Sequence, residues 1–121
     1  MASELRVNTL KDASGNNSVA MSYVAEGTAK SWVNLNGSGT IAIRDSLNVA
    51  SLTDNGTGSY SANYTNSMND SNYASVISGV NFHNITHTAN STSLYRLDHY
   101  GSAHTGADAS ISIGSVFGDL A

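Results

Sequence analysis

The stretch Asn34–Tyr60, NLNGSGTIAIRDSLNVASLTDNGTGSY, decides the fold class. It holds two Asn-Gly pairs, Asn36-Gly37 and Asn55-Gly56, each flanked by short apolar-polar runs. Asn and Gly tolerate the positive φ that tight turns need, so each pair predicts a β-hairpin. In the first, "AKSWVNL" meets "TIAIRD". "NGSG" offers two glycines there, which suits a turn longer than two residues. In the second, "LNVASLT" meets "SYSANYT".

The same punctuation continues on both sides. "LRVNTL" (Leu5–Leu10), "SVAMSYV" (Ser18–Val24), "NYASVISGVNF", "STSLYRLDHY" and "ADASISIGSVFG" read as further strands, the third bent at Gly79. That makes about nine strands at the spacing of sandwiches and barrels. No window of about 11 residues carries a helical period, and abundant Asn, Ser, Thr and Gly disfavour helix. The expectation is an all-β fold, an antiparallel β-sandwich of jelly-roll-like type, with residues 1–17 as an N-terminal segment and 18–121 as the sandwich.

The chain has 121 residues, which suits one domain. Charged residues make up 12%, about half the usual ~25%. Ser, Asn and Thr fill the difference, so the core is thin and the surface rich in hydroxyls and amides. Thin cores need disulfides, metals or oligomerisation. Cysteine is absent, which leaves oligomerisation as the simplest remedy. The five basic residues are scattered and the net charge is −4, which argues against sequence-independent nucleic-acid binding. No apolar run approaches the ~18 residues of a membrane span. "MASELRVNTL" lacks the basic-then-apolar pattern of a secretory signal. Seven Asn-x-Ser/Thr triplets follow from composition and carry no function of their own.

Several strands carry apolar residues on both faces. Val33 and Leu35 share one face and Trp32 the other; Leu47 and Val49 oppose Ala50 and Leu52. Either local bulges flip the parity, or Trp32 and its neighbours are buried against another subunit. In the last strand Ile111 and Ile113 are out of phase with Val116, which a bulge at Gly114 would explain.

Chemistry is sparse. The four histidines, His83, His87, His99 and His104, lie in the last third. His83 and His87 are weak metal candidates: on a strand they share a face, but they need a third ligand, from Asp98, His99 or a symmetry mate. No Gly-x-Ser-x-Gly elbow and no phosphate loop is present. The expectation is therefore no enzyme and no cofactor. "LYRLDHYG" offers the best contact surface, with Tyr95, Arg96, His99, Tyr100 and, further on, His104 as receptor-contact candidates. The alternative puts Tyr95 and Leu97 in the core and leaves Arg96 and Asp98 solvated.

Two segments carry a family likeness. "SELRVNTLKDASGNNSVAM" resembles the segment preceding the head of bacteriophage tail-fibre proteins, notably those of marine and cyanobacterial phages. "KSWVNLNGSGT…RDSLNVASLTDNGTGSY" is similar to the head module that follows, and the likeness runs from Ser3 to Gly79. "ASISIGSVFG" looks like that family's last strand. Met68-Asn69-Asp70 stands where the family often has Met-Pro-Asp, a turn Asn can also make. Residues Asn81–Asp108 resemble nothing in the family. The likeness implies a trimeric, non-enzymatic virion protein made in the host cytoplasm. Its implied partners are its own copies, other virion proteins of tail or capsid, and a host-surface glycan or protein. Leu5, Val7 and Trp32 are the subunit-interface candidates. If the chain is complete without a shaft, a capsid-decoration (head-fibre) role is the alternative. A hydrolase on the same scaffold is the third.

Overall fold

The computed structural model describes residues 2–80, 84–86 and 90–121, with backbone alone at 84–86. The chain is mostly β. Strands β1 (Thr9–Lys11) and β2 (Ser18–Ala20) form a small hairpin, followed by a seven-residue helix α1 (Met21–Gly27). Eight strands follow: β3 (Ala29–Asn36), β4 (Ala42–Leu47), β5 (Val49–Gly56), β6 (Ser59–Tyr64), β7 (Ala74–Gly79), β8 (Asn84–Thr86), β9 (Leu94–Tyr100) and β10 (Ser112–Phe117). They make two antiparallel four-stranded sheets, ordered β4-β3-β10-β7 and β5-β6-β9-β8.

Both hairpins form, β3 with β4 and β5 with β6, but the turn of the second is Thr57-Gly58, and Asn55-Gly56 are the last residues of β5. Each of these hairpins keeps its two strands in one sheet, while the chain changes sheet after β4, β6, β7 and β9. One core joins the sheets. Val33, Leu35 and Val116 come from the first, and Tyr60, Ala62, Tyr64, Tyr95 and Leu97 from the second. Tyrosine rings replace the missing aliphatics: Tyr64 stacks on Tyr95 at 5.6 Å and meets Tyr73 edge-on at 6.1 Å.

Several expectations change. "LNVASLT" is not one strand. Asn48, at φ 56°, carries the chain from β4 in one sheet to β5 in the other. A register shift between Val49 and Ser51 then turns both Val49 and Leu52 toward the core. The two-faced pattern there is a local irregularity. β3 differs: Trp32 pairs in regular register with Leu47 and Ser115 and lies opposite buried Val33 and Leu35. No bulge occurs at Gly114; β10 pairs with β7 without interruption, and the shift against β3 lies between Val116 and Phe117. Gly114 is small because a Cβ there would lie 2.7 Å from the Tyr95 ring. Ile111 and Ile113 point to the solvent side, at 38% and 44% exposure.

The N-terminal strand is shorter than expected, and the helix Met21–Gly27 takes over the second half of the strand expected at Ser18–Val24. Seven residues are too few to reveal a helical period. The β1–β2 hairpin straddles the expected boundary at residues 17/18. From residue 2 to residue 30 no side chain is buried; the first buried one among the described residues is Ser31.

Candidate functional site

Two surfaces with opposite chemistry emerge, one on the solvent side of each sheet. On β4-β3-β10-β7 the register lines up Leu47, Trp32, Ser115 and Val76 across four strands. Ile113 lies one row away, diagonal to Trp32 and Val76. Residues directly opposite in antiparallel strands share a face, so these apolar side chains form one patch. Val76 is 60% exposed, Leu47 48%, and Trp32 half-buried. The two-faced strand pattern pointed to Trp32. It could also have found Ile113, had Val116 been taken as the inward phase.

On the other sheet the corresponding face of β5, β6 and β9 is polar. Arg96 Nη2 donates to Ser59 Oγ at 2.6 Å, and the Ser59 hydroxyl donates to Asp98 Oδ1 at 2.5 Å. Arg96 and Asp98 are also ion-paired at 3.3 Å. Asn63 Nδ2 reaches the hydroxyls of Ser51 and Thr53, and Asn55 Nδ2 donates to Ser61 Oγ. Hydroxyls and amides fixed by one another present donors and acceptors at set spacings, which suits recognition of a polar ligand.

The contact candidates divide. Tyr95 and His99 are fully buried and present nothing to a partner, which corrects the expectation for both. The reason is phase: His99 shares its face of β9 with Leu97 and Tyr95, and all three face the core. His99 Nε2 lies 2.6 Å from Ser112 Oγ, and its ring sits 6.1 Å from that of Tyr60. Burial lowers its pKa below the ordinary imidazole value, partly opposed by the charge of Asp98. Asp98, expected to be solvated or hydrogen-bonded, is hydrogen-bonded to Ser59 and buried, at 3% exposure. Arg96 and Tyr100 are partly exposed, and His104 is exposed at φ 56°. His83 and His87 lie outside the described residues. Of the interface candidates, Leu5 is exposed, and Val7 and Trp32 are half-buried.

The loop bearing His104 is pinned to both hairpin turns. Asp108 Oδ1 accepts the Gly58 N–H at 2.8 Å, and Gly37 N–H donates to Ala109 O at 2.8 Å. The Tyr60 hydroxyl lies 3.0 Å from Gly37 O and 3.1 Å from Asp108 Oδ1, and accepts the Ala109 N–H at 3.2 Å. Its single proton serves one acceptor at a time. Burial, chiefly, pushes the Tyr60 phenol up to about 12.

A shallow cleft lined by Glu26, Asn69, Asp70, Tyr73 and Asp119 lies beside the turn at Met68-Asn69-Asp70. Asp70 Oδ1 accepts the Asn72 N–H at 2.7 Å there. Among the described residues no group of three His, Cys, Asp or Glu side chains is placed to hold a metal ion. Among them, too, no helix is long and apolar enough to cross a membrane.

Comparisons with protein-family models, curated proteins and solved structures found no match. The reading of function therefore rests on the chain itself.

Proposed function

We propose that this chain is a non-enzymatic bacteriophage virion protein, a surface-exposed trimer of tail-fibre-head type that binds a host-surface glycan or protein. The two sheets form a two-layer β-sandwich, with the first strand of the body, β3, paired to the last, β10. The observation that carries the reading is the apolar solvent face of β4-β3-β10-β7, with Trp32, Leu47, Val76 and Ile113 together. Scattered single apolar residues are ordinary on a surface, whereas a contiguous patch marks an interaction site. Assembly buries it and adds the apolar area that the thin core lacks. The polar side chains of the other sheet, Ser51, Thr53, Asn63 and Arg96 among them, offer donors and acceptors to a host-surface ligand. The likeness of Ser3–Gly79 to tail-fibre heads supplies the virion setting.

A second reading, a capsid decoration, draws support from the N-terminal hairpin. It contributes nothing to the core and so is free to grip a shell. Antibody labelling of intact particles separates the two. Label at the tail tip supports the first, label over the capsid supports the second, and unlabelled particles overturn both. Purified protein incubated with host polysaccharide should release no reducing ends; their release would overturn the non-enzymatic assignment.

A further inference from the structure

The chain exposes two separate sets of apolar side chains, and among the described residues neither is covered. One is the sheet face just described. The other lies in the N-terminal arm. Leu10 and Val19 are directly opposite in the β1–β2 hairpin and so share one side of it. Both are exposed, as are Leu5 at 79% and Tyr23 at 75%. A lone two-stranded hairpin is at best marginally stable in water. Among the described residues it has no third strand, and no side chain on it is buried. It needs a surface to lie on.

We infer that the arm of one copy, residues 5–23, seats on the β4-β3-β10-β7 face of the next copy. This names the contact within the self-association proposed above, and it rests on that reading. Area favours it over two alternatives. The face spans four strands. At about 4.8 Å per strand and 3.4 Å per residue, over about six residues, it offers roughly 400 Å². A specific interface takes about 800 Å² from each partner. Two faces packed on each other reach about half that and leave both arms in water. An arm laid on a neighbour's face uses both sets. Each subunit then gives its face to one neighbour and its arm to another, about doubling the area it buries. Such a contact joins two different surfaces, so it repeats around a ring until rotation closes it. Folding the arm onto its own face would need no partner, but the single chain leaves both surfaces exposed. Lys30 Nζ, on β3, donates to the carbonyls of Ala25 and Thr28 and anchors the base of the arm at the start of β3.

Light scattering on the full chain tests this. The intact chain should run as a trimer. Val76→Asp on the face, and Leu5→Ser with Tyr23→Ser on the arm, should each keep the β-type circular dichroism. Each should weaken association by about tenfold or more. The face variant and the arm variant mixed together should give a two-chain species, because one sound arm still meets one sound face. An arm variant that keeps the full mass overturns the arm-on-face contact and leaves the trimer standing. An intact chain that runs as a monomer overturns both. A cross-link gives a second measure, because the chain has no cysteine. A Tyr23→Cys chain mixed with a Val76→Cys chain should form mixed dimers with a short bismaleimide. Products joining only like chains would overturn the contact.

Discussion

Gly37 shows how much a single position can carry. Its φ is not in the left-handed region; Gly39, at 67°, takes that role in the first hairpin. Gly37 is required for room: a Cβ there would lie 2.3 Å from the Tyr60 ring and hydroxyl, inside the hydrogen-bond knot with Asp108 and Ala109. Tyr60 is fully buried and cannot yield. Gly37→Ala should cost about 1–3 kcal/mol by overpacking, read as a lower urea midpoint. An unchanged midpoint would show that the ring can move aside. His99 adds a pH term. Burial holds its folded pKa below the ordinary value of about 6.5, so the unfolded chain takes up the proton first. Stability from this group is complete above that pH and falls as pH drops through about 6.5 toward the folded value. Melting temperature should decline between about pH 7 and 5, and His99→Gln should flatten the decline. Parallel curves for the two proteins would remove His99 as the cause.

Among the elements, the β4–β5 crossover matters most. Asn48 alone separates a strand of one sheet from a strand of the other. Its Oδ1 accepts the Asn66 N–H at 2.7 Å and its Nδ2 donates to Asn66 O at 3.0 Å, tying the crossover to the chain just after β6. Left-handed backbone and a short amide side chain are both used, which is why Asn suits the position. Asn48→Gly removes only the bonds, while Asn48→Ala adds backbone strain. The alanine variant should therefore be less stable than the glycine variant by about 1 kcal/mol in urea denaturation. The reverse order would mean that the positive φ relaxes. The two hairpins were legible because turn chemistry is local. The pairing of β3 with β10, and of β6 with β9, brings together residues distant in the chain, which no short pattern records. α1 was too short to show a period. The burial of Asp98 was not legible, because its strand phase is opposite to that of Leu97 and His99, which face the core.

At the scale of the whole molecule, the two outward faces differ: one apolar, one a lattice of hydroxyls, amides and the Arg96–Asp98 pair. Trp32 is the only tryptophan and lies on the apolar face, so its emission reports directly on whether that face is covered. Dilution through the association range should shift the emission to longer wavelength, since assembly follows mass action. An emission independent of concentration, while light scattering records dissociation, would place the subunit contact elsewhere. Of the candidate site, Trp32 and Arg96 were legible from sequence. Leu47, Val76 and Ile113 joined them only once the register was known.

By itself the sequence determined the β class, the two hairpins and the thin, hydroxyl-rich character of the chain, because these follow from composition and neighbours a few residues apart. Only the tertiary structure decided which apolar residues lie inside. Alternation says that two residues share a face, but not which face meets the other sheet. That depends on pairings such as Ser112 with Leu35 and Ser115 with Trp32, made across most of the chain. The pairings of β10 gathered Trp32, Val76 and Ile113 into one outside, and those of β9 in the other sheet turned Tyr95 and His99 inward from an expected contact surface.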